Sequence, residues 1–233
     1  MFLNKFLSLS GITSRRKAVD EIKRGYVTVN NKIVKDPAYL VKEGDIVKYK
    51  EKKVEPEKHL YILLNKPEGY LTTLSDINGR KNVMELINIK DKTRIYPVGR
   101  LDKETTGLLL ITNDGDLTQH LAHPKYGVPK LYEVVLDQEF DSSNFAKLLK
   151  GLHLKDGVTK ADRVFYTKKP SRKKVSIEIH SGKNRIVRRL FKALGYNVIK
   201  LDRTRYAGLV KRGLSKGKWR FLTNKEISKL KLI

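Results

Sequence analysis

One carboxylate stands out by its setting. In Tyr96-Pro97-Val98-Gly99-Arg100-Leu101-Asp102-Lys103-Glu104-Thr105-Thr106-Gly107, a loop with glycines at both ends holds Asp102 between Arg100 and Lys103. Flanking cations favour the ionised carboxylate, the form that acts as a nucleophile or a base. On spacing alone, a loop cap or a surface charge is the better reading of Asp102. Other chemistry has less to build on. The chain has no cysteine, which removes disulfides, thiolate nucleophiles and thiolate zinc sites. No phosphate-binding P-loop, GxGxxG, GxSxG or HExxH pattern occurs. His120 and His123 are three apart but have no further ligand at metal-site spacing, and His59, His153 and His180 are scattered. His180 lies close to Gly182 at a strand end, where a binding role is open. No cofactor and no metal are expected. Asp114 falls in the turn Asn113-Asp114-Gly115 and Asp116 directly follows it, so a second carboxylate of the kind hydrolytic glycosidases need is not in evidence.

The elements that must position these residues are legible from periodicity. Short apolar strands are expected at Leu60 to Leu64, Gly107 to Thr112, Leu131 to Leu136, Val175 to Ile179 and Asn197 to Leu201. Val175, Ile177 and Ile179 alternate with Ser176 and Glu178, as in a sheet with one wet face. Helices are expected at Val83 to Ile87, Leu117 to Leu121, Ser143 to Lys150 and Asn184 to Leu194, the last stopped by Gly195. Thr223-Asn224-Lys225-Glu226 is a capping box that opens a final helix. The basic run Lys168 to Lys174 reads as a solvated loop.

The first fifty residues form a separate pattern. Leu3, Phe6 and Leu7 have helical spacing before Gly11, and Ser14 can cap a helix that buries Ala18, Val19 and Ile22 before Gly25. Tyr26-Val27-Thr28-Val29, Asn30-Asn31 and Lys32-Ile33-Val34 read as a hairpin, followed by a strand at Asp45 to Tyr49. Arg15, Arg16, Lys17, Lys23, Arg24 and Lys32 make this unit a candidate phosphate-tracking surface. The charged, proline-containing stretch 51–58 reads as a linker to a second domain over 59–233.

Global composition agrees with a polyanionic partner. Fifty Lys and Arg against twenty-five Asp and Glu give a formal charge of +25, a self-repulsion that a nucleic acid relieves. Apolar runs such as Leu108-Leu109-Leu110-Ile111 are far short of a membrane span, and the N-terminus carries no apolar signal core, so a cytoplasmic location is expected.

Residues 1–50 resemble, over nearly their whole length, the S4-type (alpha-L) RNA-binding domain through Leu3-Asn4-Lys5-Phe6-Leu7, Gly11-Ile12-Thr13-Ser14-Arg15-Arg16-Lys17-Ala18 and Gly25-Tyr26-Val27-Thr28-Val29-Asn30. Gly99-Arg100-Leu101-Asp102 with Thr106-Gly107-Leu108-Leu109 is similar to the catalytic motif of the S4-domain ribosomal-RNA pseudouridine synthases. Two further motifs of that family are matched in order, by Lys130-Leu131-Tyr132 and by Gly182-Lys183-Asn184-Arg185-Ile186-Val187-Arg188-Arg189-Leu190-Phe191. Ile186, Ser181 and Tyr206 depart from the family's usual residues.

The resemblance implies an α+β protein: a small S4-type domain followed by a pseudouridine synthase domain with a mixed, mainly antiparallel sheet. It implies that Asp102 is catalytic, as nucleophile or as base on the sugar, that Tyr132 packs on the target base, and that Arg188 pairs with Asp102. Arg100, Lys130, Asn184, Arg185 and Arg189 are assigned to RNA contact. From the residues alone, Tyr132 is equally a core side chain and Arg188 equally a phosphate ligand. The implied partner is ribosomal RNA or an assembling particle, met by a monomer without membrane or cofactor. Large-subunit (23S) RNA is preferred, with small-subunit (16S) RNA as the alternative. A non-catalytic S4-domain assembly factor is the rival that would need neither Asp102, Tyr132 nor Arg188.

Overall fold

The computed structural model describes residues 1–89, 93–167 and 171–233, so Lys168, Lys169 and Pro170 of the basic run lie outside the described residues. The described residues fall into two compact units. The first is Met1–His59, to which Arg94 also belongs, its Nη1 donating to Thr13 O at 3.2 Å. The second comprises Leu60–Ile89 and Ile95–Ile233.

In the first unit, helices α1 (Leu3–Leu9) and α2 (Arg15–Lys23) precede strands β1 (Val27–Val29), β2 (Lys32–Ile33), β3 (Val47–Tyr49) and β4 (Lys52–Lys53). Ser14 caps α2 by accepting from Lys17 N at 3.2 Å. Asn30 and Asn31 turn the hairpin with φ of 50° and 62°, the left-handed pair that matches strand twist. Leu3, Leu7, Ala18, Ile22, Val27, Val29 and Val47 form the core. The stretch 51–58 differs from the expected linker. It contributes β4, which closes the sheet order β2-β1-β3-β4, and Glu57 N donates to Leu9 O at 2.9 Å. Charge without periodicity hid a two-residue edge strand.

The second unit is built on a nine-stranded sheet. Its chain order is β5 (Tyr61–Lys66), β6 (Tyr96–Pro97), β7 (Thr105–Thr112), α3 (Gly115–Ala122), β8 (Lys130–Leu136), α4 (Ser143–Lys150), the hairpin β9 (Leu152–Leu154) and β10 (Gly157–Thr159), β11 (Arg163–Tyr166), β12 (Lys174–Ile179), α5 (Ile186–Ala193), β13 (Val198–Tyr206), β14 (Leu209–Val210), β15 (Trp219–Phe221) and α6 (Asn224–Lys231). The main path runs β11-β12-β8-β13-β7-β5-β15. Among the strands of the described residues, only β13 and β7 pair in parallel, Leu201 opposite Thr105 and Arg203 opposite Gly107. The architecture is α+β with a mixed, mainly antiparallel sheet.

Strands β5 and β7 are apolar without alternation because both faces are covered. Ile62, Leu64, Leu109 and Ile111 join a core with Leu148 of α4 and Ile186, Val187, Leu190 and Phe191 of α5. Tyr61, Leu63, Leu108 and Leu110 join the other core, with Leu117 and Leu121 of α3 and Leu230 of α6. Gly107 marks the tightest point. Its φ is +112°, and a Cβ there would overlap main-chain atoms of Arg203. Asn113-Asp114-Gly115 is a helix start rather than a plain turn: Asp114 Oδ1 accepts from Leu117 N at 3.0 Å, and Oδ2 accepts from Tyr61 OH at 2.7 Å. No helix among the described residues is long and apolar enough to cross a membrane.

Candidate active site

A cleft of about 180 Å³ in the second unit is walled by Val98–Asp102, the end of α3, strands β8 and β13, and the segment leading into α5. Asp102 is the one carboxylate in this wall among the described residues, whereas Arg100, Lys130, Lys183, Arg185 and Arg203 all contribute to it.

The Asp102 loop is fixed from behind. Thr72 Oγ1 donates to Leu101 O at 2.8 Å and accepts from Leu101 N at 3.2 Å. Lys66, fully buried at the end of β5, donates from Nζ to the carbonyls of Asp102, Lys103, Thr105 and Pro67 at 2.8–3.2 Å. Burial pushes the Lys66 ammonium down to about 8, opposed by the charges of Glu104, Asp102 and Glu68. These contacts leave the Asp102 side chain 31% exposed and facing the cleft.

The cation that reaches Asp102 is Arg185, not Arg188. Arg185 Nη1 lies 3.4 Å from Asp102 Oδ2 and 3.5 Å from Glu104 Oε2. Arg185 has φ of +48° and stands just before α5, outside the helical rotation. Helix α5 begins two residues later than the expected Asn184, and Arg188 instead turns to donate from Nη1 to Val198 O at 2.7 Å. The implied Arg188–Asp102 pair is therefore absent from this structure. Arg188 Nε is buried without a hydrogen-bond partner.

Tyr132 lies on β8, 8% exposed, opposite Ile177 of β12 and Arg203 of β13, and it both belongs to the core and walls the cleft. The core reading of Tyr132 therefore holds, and its place on the wall leaves its ring within the cleft lining. Lys130, expected as an RNA contact, turns inward: Nζ donates to Val128 O and His180 O, each at 2.9 Å. Burial, with the charge of Arg203 adding to it, pushes this ammonium down to about 8. Arg189 is also engaged, gripping Asp156 with both Nη atoms, one of them 2.9 Å from Oδ2. Arg100 and Asn184 are exposed, and Arg100 is on the cleft wall. His180 Nδ1 lies 2.8 Å from Asp162 Oδ1. In the first unit Arg15, Arg16, Lys17, Lys23, Arg24 and Lys32 are all exposed.

Sequence reasoning missed Lys66 and Thr72, and it gave Arg203, in the family-like stretch Leu201-Asp202-Arg203-Thr204-Arg205, no role of its own. Leu201 and Arg203 are two apart on β13 and share burial, so period two could have flagged Arg203. Lys66 gave a weaker signal, a lysine ending an apolar run.

Comparison with known proteins finds similarity along nearly the whole chain. Residues 60–193 match the RNA pseudouridylate synthase family and residues 3–47 match the S4 domain. The ribosomal large subunit pseudouridine synthase B of Bacillus subtilis (strain 168) is 41% identical, over 99% of this chain and 96% of the relative. The dual-specificity RNA pseudouridine synthase RluF of Escherichia coli (strain K12) is 37% identical, over 97% of this chain and 76% of the relative. A crystal structure of a pseudouridylate synthase matches with a TM-score of 0.71 and 28% identity over 99% of both chains. With its carboxylate-bearing cleft and its N-terminal S4 domain, this chain belongs to the RNA pseudouridylate synthase family.

Proposed function

We propose that this chain isomerises a uridine of large-subunit (23S) ribosomal RNA to pseudouridine, with Asp102 acting on the ribose and Tyr132 stacking on the base. The observation that carries this reading is the lone carboxylate in a cationic cleft. Breaking the N1–C1′ bond develops positive charge at the sugar, which one carboxylate can stabilise or attack. Hydrolysis by the usual glycosidase route would call for a second carboxylate across the bond. Arg185 orients Asp102, and Arg100 is exposed at the cleft for contact with the RNA backbone. The uridine must leave its helix to enter, at a cost of a few kcal/mol that phosphate contacts and stacking offset.

Residues 1–50 would hold the RNA through Arg15, Arg16, Lys17, Lys23, Arg24 and Lys32, while residues 59–233 carry the chemistry. The protein would work as a cytoplasmic monomer. The large subunit is preferred because the Bacillus subtilis relative is named for that RNA. The test is to map pseudouridines in ribosomal RNA from cells lacking the gene, complemented with wild type or Asp102→Asn. One 23S uridine restored by wild type alone supports the reading; full restoration by the asparagine variant removes Asp102 from it.

A further inference from the structure

Arg203 is a buried cation without an anionic partner among the described residues. It is 2% exposed, its Nε donates to Leu108 O at 2.8 Å, and its guanidinium carbon lies 4.5 Å from the centroid of the Tyr206 ring. Its Nη2 is buried with no hydrogen-bond partner, and no carboxylate among the described residues pairs with it. A carbonyl and a ring face compensate only part of the cost of holding a charge out of water. The position is nevertheless built to fix it. Arg203 is opposite Tyr132 on one side, and on the other its main chain packs where only a glycine, Gly107, fits. It shares the cleft wall with Asp102 and Tyr132.

The missing anion has to come into the cleft. Phosphates stay on the RNA backbone, where the exposed Arg100 and Arg185 suit them and a side chain this buried does not. Negative charge arises inside only on the base. When N1–C1′ breaks, the bonding electron pair leaves with N1, and uracil becomes a monoanion spread over N1, O2 and O4. This holds whether an Asp102 oxygen bonds to C1′ or Asp102 takes the C2′ proton and later returns it. To rejoin, C5 uses a ring electron pair to bond C1′, releasing Asp102 if it was bonded there. The C5 proton goes to solvent and N1 takes a proton from solvent, so the balance is an isomerisation.

We propose that Arg203 anchors the detached uracil, donating from Nη2 to a carbonyl oxygen of the base and stabilising the anion with its fixed charge. This rests on the pseudouridine reading above and assigns the leaving base a residue. Preorganised donors in a dry site act on charge that develops during the reaction, so removing one lowers the rate more than the affinity.

The experiment compares wild type with Arg203→Lys, Arg203→Gln and Arg203→Met on protein-free ribosomal RNA from cells lacking the gene. It measures single-turnover pseudouridine formation, RNA affinity and thermal midpoint. The glutamine and methionine variants should lose on the order of 10²-fold or more in rate with RNA affinity little changed, and lysine should recover most of the loss. A purely structural clip predicts that rate follows thermal midpoint, whatever the charge. Uncharged variants that fold and keep their rate overturn the proposal. If neither folds, Arg203→Lys decides alone, and a folded lysine variant that has lost more than about 10²-fold overturns it. A wild type that makes no pseudouridine overturns the underlying reading, and this one with it.

Discussion

Lys66 Nζ donates to the main-chain oxygen of Asp102 at 3.1 Å, and the same ammonium holds the carbonyls of Lys103 and Thr105. A single buried charge thereby organises both sides of the residue that faces the cleft. Replacing it with an apolar side chain leaves several carbonyls without a donor. Lys66→Met should lower stability by about 1–3 kcal/mol. It should also lower the rate of pseudouridine formation at least tenfold while RNA binding persists, because the loop, not the RNA surface, is disturbed. Denaturant midpoints and single-turnover rates on the same preparation check both.

Lys66 also carries a pH signature. Its ammonium is held near 8 in the folded protein, against an ordinary value of 10.5. Between those values the unfolded chain binds more protons than the folded one, so this group's contribution to stability rises with pH from about 8 to 10.5. Below about 8 its cost is constant. The stability of wild type relative to Lys66→Met should therefore increase across pH 8 to 10, measured by urea denaturation; a flat difference would exclude the linkage.

Arg185 and Arg188 should separate function from stability. Arg185 makes a long, partly exposed pair with Asp102, worth at most about 1 kcal/mol to the fold. Arg185→Ala should leave the thermal midpoint nearly unchanged and reduce turnover. Arg188→Ala removes the 2.7 Å bond to Val198 O and should cost about 1–3 kcal/mol. Equal effects of the two variants on both readouts would contradict this division.

Gly107→Ala is expected to be among the most damaging single-methyl additions in the chain. The φ of +112° is strained for alanine, and the methyl would overlap the Arg203 main chain. A loss of roughly 2–4 kcal/mol is expected, with the parallel strand pair forced apart. Hydrogen exchange of the β7 amides checks it.

At the end of the chain, Arg220 holds the Glu226 carboxyl down to about 2, with help from Thr223. The pair is about three-quarters buried on each side. A depressed carboxylate contributes stability above its ordinary value of 4.5 that is lost as pH falls towards 2. The destabilisation caused by Glu226→Gln should accordingly shrink between pH 4.5 and 2, measured by denaturant midpoints.

Much of the scaffold was legible in the sequence. Helix α4 has the expected bounds, Ser143–Lys150, and the capping box at Thr223 and Glu226 is present. Strands β5, β7, β8 and β12 fall where apolar runs placed them, because such runs must be covered wherever they lie. The short strands β4, β6, β10 and β14 escaped: two or three residues hold no period, and only neighbouring strands define them. Within the site, residue types were readable but directions were not. The positive φ at Arg185 sets which arginine meets Asp102, and Lys130 turns to two carbonyls, one of them fifty residues away. Both outcomes depend on tertiary neighbours that no local spacing encodes.

The parallel pairing of β7 with β13 joins segments 96 residues apart in the chain. Loop closure of that length must precede any reward from the contact, so it should slow folding, as should the still longer closure that sets Trp219 of β15 opposite Leu64 of β5. During synthesis, β7 is made long before β13, and the Thr105–Gly107 end of its edge waits unpaired while β6 already covers Ile111 and Thr112; all eight β7 residues are buried in the finished protein. Chains halted before Val198 would leave that edge open to a second molecule, which makes the stretch from Val198 onward a guard against aggregation as well as part of the cleft.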